Sequence, residues 1–167
     1  MRSRLVAVLA AAALTLAAHR PAAAQATTSA NASATIVTAI SLSKTADLDF
    51  GNVVASGSTG TVVLGTGGSR SVTGGASLGN AGSTAAASFT VSGQASATYS
   101  VTLPASTTIS SGGNNMTVNT FTSSPSGTGT LSGGGTQTLN VGATLQVGAS
   151  QAAGSYTGSF NVTVAYN

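Results

Sequence analysis

The stretch Gly154-Ser-Tyr-Thr-Gly-Ser-Phe-Asn-Val-Thr-Val-Ala-Tyr-Asn167 alternates almost without a break. Tyr156, Phe160, Val162, Val164 and Tyr166 fall on even positions, and Ser155, Thr157, Ser159, Asn161, Thr163 and Asn167 on odd ones. Successive side chains of a strand point to opposite faces, so this pattern gives one apolar face and one polar face. β-Branched and aromatic residues suit such a half-buried pleated surface. At roughly 3.3 Å per residue the stretch reaches about 40 Å, long for a strand, and it predicts pairing along most of a sheet. Phe160 and Val162 are expected in the core.

The same periodicity recurs upstream. Leu139, Val141, Ala143, Leu145 and Val147 share odd positions and predict a long strand over 136–147. Ser88–Ser92 and Thr98–Leu103 each alternate, and Gly93-Gln-Ala-Ser96 between them suits a hairpin loop. Shorter strands are read at 60–65, 70–73 and 115–121. Residues 123–135, which contain Pro125, are read as a loop. Near the start, Ala32, Ala34, Ile36, Thr38, Ile40 and Leu42 share one face and predict a first strand over about 33–43. No segment after residue 24 shows helical spacing over three turns. Strands separated by Gly-rich turns predict an all-β chain, an antiparallel immunoglobulin-like β-sandwich. An outer-membrane barrel needs aromatic girdles; 4 Phe, 3 Tyr and no Trp are too few to build them.

The amino end reads differently. Arg2 and Arg4 precede an apolar run from Leu5 to Ala18, and Ala22-Ala-Ala24 supplies small residues before Gln25. This is the layout of a cleaved signal peptide over 1–24, and the run is short for a membrane helix. Residues 25–33 are expected to be a flexible extension, a candidate donor segment, and 34–167 the sandwich domain. Cleavage removes Arg2, Arg4 and Arg20 and leaves Lys44 and Arg70 against Asp47 and Asp49, a net charge of zero. The formal +3 of the whole chain therefore belongs to its leader. A nucleic-acid partner is not expected, because phosphate neutralisation needs clustered Lys and Arg. No further stretch has the length of a membrane span. With no cysteine, the domain must be held by its core and ladders alone.

Residues able to do chemistry are scarce. After residue 24 the chain has no His, Cys or Glu. Asp47 and Asp49 read as a solvated turn beside Lys44 rather than as a glycosidase pair. A Ca²⁺ site from Asp47, Asp49 and Asn52 lacks oxygens, and a dyad of Lys44 with Ser41 or Ser43 has no other support. The glycine pairs precede no helix, so they are turns rather than phosphate cradles. No enzyme activity, cofactor or metal is expected. The Ser/Thr-rich outer faces read as the means by which an uncharged sheet stays wet.

Two resemblances add to this reading. The carboxyl end resembles chaperone–usher fimbrial subunits, whose penultimate aromatic and distal glycine correspond to Tyr166 and Gly154. Ile40-Ser-Leu-Ser-Lys-Thr-Ala-Asp-Leu-Asp-Phe-Gly-Asn-Val53, Gly68-Ser-Arg70, Ala87–Gly93 and Gly154–Gly158 resemble the bacterial exported family known as domain of unknown function 4402. That family is similar in turn to Mat/Ecp-type fimbrial subunits and spore-coat U domains. The resemblance implies a sandwich at an exported address: periplasm, cell surface or extracellular space. It also implies assembly by strand exchange. Ala30, Ala32, Ala34 and Ile36 would be the donated face; Gly154, Phe160, Val162, Val164 and Tyr166, on the carboxyl-terminal stretch, are the further candidate assembly residues. Partners would be further copies or related surface subunits, with a periplasmic chaperone as a candidate. The expected function is a non-catalytic, fimbria-like structural subunit; the alternative is a monomeric secreted or periplasmic binding module for a glycan or surface ligand. Whether the first strand is donated or folds onto its own domain stays open.

Overall fold

The computed structural model describes residues 24–80 and 82–167. Most of the expected signal peptide, residues 1–23, lies outside this range. Residues 36–167 form one compact unit, and 24–35 a separate segment in which every residue is exposed and none is in a strand.

Ten strands follow in chain order: β1 (Ser41–Ala46), β2 (Val53–Leu64), β3 (Arg70–Leu78), β4 (Ala87–Ser92), β5 (Thr98–Thr102), β6 (Ser106–Ser111), β7 (Asn114–Ser124), β8 (Thr128–Thr130), β9 (Thr136–Val147) and β10 (Thr163–Tyr166). Every pairing is antiparallel, and the described residues contain no helix. The strands form a sandwich of a seven-stranded sheet and a three-stranded sheet in the order β10-β5-β8.

β9 is the spine of the large sheet. Leu139, Val141, Ala143, Leu145 and Val147 are all buried, as their alternation predicts. One edge of β9 pairs with β7 from Asn140 to Gln146. The other edge pairs first with β4, at Thr136–Val141, and then with β2, at Ala143–Val147. The hand-over falls at Gly142, where a Cβ atom would strike the carbonyl oxygen of Leu64. Only a residue without a side chain lets the end of β2 lie that close.

The core has two sections that share β9. One gathers Phe50, Val62, Leu64, Val118, Leu145 and Val147, and the other Phe89, Val91, Tyr99, Leu131, Leu139 and Val141. Phe121 and Leu48 pack against both. A bulge in β7, where Thr120 adopts φ 48°, shifts the alternation by one residue. Val118 and Phe121 thereby both reach the inner face. Each fully buried Leu or Val contributes about 1.5–3 kcal/mol, and no disulfide adds to that sum.

The outer face of the large sheet is uncharged along two rows. Thr73, Thr61, Gln146, Thr117 and Thr108 stand opposite one another across β3, β2, β9, β7 and β6. Ser71, Val63, Thr144, Asn119 and Ser106 form the neighbouring row.

Four expectations are corrected. Residues 88–92 and 98–103 are strands but not a hairpin: β4 lies in the large sheet and β5 in the small one, so Gly93–Ala97 is a crossover between sheets. The region 123–135 contains β8 and the buried Leu131. The first strand starts at Ser41 rather than near Ser33. The last stretch is not one ladder. Thr157 bridges to Ser110 on β6, and regular pairing resumes only at Thr163, on β5. The chain changes sheets between these points, so no single neighbour could run beside all of it.

Candidate assembly site

The expected donor residues have no ladder. Ala30, Ala32 and Ala34 are exposed, and Ile36 is 96% exposed, the most exposed large apolar side chain among the described residues. Exposure continues through Ala39, and Ile40 and Leu42 are the first residues of this run to pack on the core.

A specific contact ends the β1 ladder. Ser41 pairs with Ser92, so continuing the register would bring residues 38–40 alongside 93–95. Gly93 N–H donates to Gly135 O at 2.9 Å, one step further along the β9 side of β4, so Gln94 is the next residue to face β1. Gln94 N–H donates to the Tyr166 hydroxyl at 2.6 Å, and that hydroxyl donates to Thr38 O at 2.7 Å. Thr38 N–H reaches Gln94 Oε1 at 3.4 Å. One phenol oxygen thus stands between two backbones that would otherwise meet. Gly93 is bare for this reason: a Cβ there would strike the Tyr166 hydroxyl.

Tyr166 is held in place from behind. It lies opposite Tyr99 in the β10–β5 pair. Tyr99 is fully buried, donates its hydroxyl to Gln137 Oε1 at 2.8 Å, and covers Gly129 on β8. Burial pushes the Tyr99 phenol above its usual range. Asn167 N–H bonds Thr98 O, so the backbone groups of Thr163 and Ala165 face β5, and those of Val164 and Tyr166 face away. Among the described residues no strand lies on that side. Beside it opens a cleft of about 450 Å³ whose lining includes Val37, Gln94, Ala97, Tyr166 and Asn167.

The other candidate assembly residues are spread along the last stretch. Gly154 lies against Ser111. Phe160 packs on Phe121, ring centroids 4.9 Å apart. Phe160, Val162 and Val164 are half-buried against the core section that contains Tyr99, so Phe160 and Val162 cover the core rather than fill it. The structure brings Val164 and Tyr166 together on β10; Gly154 and Phe160 lie towards β6 and β7.

The two carboxylates have local partners. Lys44 Nζ pairs with Asp47 at 2.5 Å, both side chains exposed. Asp49 Oδ1 accepts from Gly51 N–H at 2.8 Å, closing a turn in which Gly51 takes φ 65°. Arg70 clamps that turn by donating to Phe50 O at 2.7 Å. No group of three or more His, Cys, Asp or Glu clusters among the described residues.

Sequence reasoning missed Thr38, Gly93 and Gln94. The penultimate tyrosine marked Tyr166 through the fimbrial resemblance, but nothing in the spacing reveals that its hydroxyl meets residues so far away in the chain.

A family model described as "Domain of unknown function (DUF4402)" matches residues 40–166. Comparison with curated proteins and with solved structures gave no match. The match starts at Ile40, where side chains begin to pack on the core, and ends at Tyr166; over that span, most of its length, the chain belongs to the DUF4402 family.

Proposed function

We propose that the protein is an exported, non-catalytic structural subunit of the bacterial cell surface, fimbria-like, which polymerises when the N-terminal segment of one copy adds a strand to the next. The exposure of Ile36, 96% at the end of an alternating and unpaired run, carries this reading. An extended chain with a period-two apolar face is what a sheet edge can capture through main-chain bonds and side-chain pockets. The outward backbone groups of Val164 and Tyr166 are such an edge. The charges of the described residues sum to zero, so copies meet without net repulsion. A periplasmic chaperone that covers the same edge before assembly fits this reading.

Deletion of 25–34, and separately Ile36→Asp, tests it by light scattering of the exported protein and electron microscopy of sheared surface fractions. Wild type is expected in filaments and both variants as folded monomers, because a buried, unpaired carboxylate is costly. A wild type that stays monomeric at high concentration sinks the reading.

That outcome would favour a monomeric binding module, which a second cleft supports. It measures about 500 Å³, within the range of small-ligand sites. Thr61, Thr73, Asn115, Gln146 and Gln151 line it, neutral hydrogen-bonding groups suited to an uncharged saccharide.

A further inference from the structure

We infer that the Tyr166 hydroxyl is a latch: it fixes the point at which the N-terminal segment leaves the sandwich and so limits which residues can be donated. The latch itself stands on geometry alone; its effect on donation rests on the strand-exchange reading above.

The β1–β4 ladder ends at Ser41 and Ser92. Past Ser41 and Ser92, the two chains stay close enough for Thr38 to reach Gln94, yet they form no ladder. The phenol oxygen occupies the gap, accepting from one backbone and donating to the other. A hydroxyl can do both at once, having one donor and two acceptor sites. Three segments distant in sequence therefore converge on a single atom: the run that leads into β1, the crossover after β4 and the end of β10. Gly93 shows that the site is built for this. Its missing side chain leaves the space that the Tyr166 hydroxyl fills, and any larger residue would displace the ring.

With the latch closed, Thr38 is tied to the domain, and only the residues before it can move together as a donor. With it open, Thr38 and Ala39 lose their tie, and the donor lengthens towards Ile40, which packs on the core and is the next apolar side chain on the face of Ile36. Val37 is already 53% exposed beside the cleft. The latch thus sets a length, and with it the register that a neighbour would see.

The test uses the exported full chain kept dilute, so that only single molecules are read. Tyr166→Phe removes the hydroxyl and keeps the ring. Gly93→Ala displaces the same hydroxyl from the opposite side. Amide hydrogen exchange is followed at Gln94, the latch donor, and at Val141, in the middle of β9. Both variants are expected to speed exchange at Gln94 about five- to tenfold, the worth of one ordinary hydrogen bond, while Val141 changes less than about twofold. Unchanged protection at Gln94 in Tyr166→Phe overturns the latch, and so does an equal loss at both amides, which would mean general loosening. Raising the concentration then separates the two ideas. If wild type forms filaments, latch-open variants should form them at an altered rate; an identical rate would remove the link to donation. If neither protein assembles, strand exchange fails and the exchange result still decides the latch.

Discussion

β9 and the last fourteen residues carry almost the same pattern, and they end differently. Both alternate apolar and polar residues, and both put one face against the core. β9 is paired on both edges and buries every apolar residue of its odd face, Leu139 to Val147. The last stretch half-buries its apolar positions, touches β6 near Thr157, then crosses to β5. Alternation therefore reports which side of a chain meets apolar surface. It does not report whether a neighbour supplies hydrogen bonds. A segment that crosses between two sheets at their rim keeps one greasy side throughout, because the core is on the same side all the way.

The difference can be broken or sharpened by truncation. Leu139→Ala in β9 should cost about 2–5 kcal/mol, the range for a buried leucine in a close-packed site. Phe160→Ala removes a larger side chain, but a half-buried one whose surroundings can relax. It should cost about 1–2 kcal/mol, below the roughly 3–5 expected of a core phenylalanine. Denaturant unfolding of the two variants checks the order. A Phe160→Ala loss equal to or above that of Leu139→Ala would mean that the crossing segment is as much a part of the core as β9.

Tyr99 joins the two regions, donating to Gln137 on β9 and facing Tyr166 on β10. Its phenol is raised by burial. The folded state therefore holds the proton more tightly than the unfolded chain does. That contribution is fully present below the unfolded tyrosine value, about 10, and is lost as pH rises from there towards the folded value. Unfolding midpoints should stay level through neutral pH with respect to this group and fall above about pH 10. Tyr99→Phe should flatten the alkaline limb while costing about 1 kcal/mol below it, for the lost hydrogen bond. An unaltered alkaline limb in Tyr99→Phe would point to another group.

The smallest effect is expected at Thr163, which is exposed in β10. Thr163→Ala should shift stability by less than about 0.5 kcal/mol. A larger loss would show that the outer side of β10 is engaged even in the single chain.

Much of this fold was legible in the sequence. The bounds of β9, β4 and β5 follow from period-two runs ended by glycine or by Pro104. β6 was not legible, because Ile109 is its one large apolar residue and a strand at the rim needs no more. The β4–β5 hairpin was misread for a related reason. A four-residue gap with glycine fits a hairpin loop and a crossover equally well, and only the partners on either side decide. Half of the candidate site shows in the pattern: the donor run and the alternation ending in Tyr166 are visible as spacing. The latch is not, because a hydrogen bond from a side chain to distant backbone leaves no periodic trace.

The uncharged rows on the large sheet have a consequence for how this surface behaves in water. Thr73, Thr61, Gln146, Thr117 and Thr108 attract water through neutral dipoles, and the described residues hold two cations and two anions in all. Ions screen fields, with a reach of about 8 Å at physiological strength; they have little to screen here. Contacts made through these two rows should depend only weakly on ionic strength and on acidity, since neither row carries a group that titrates.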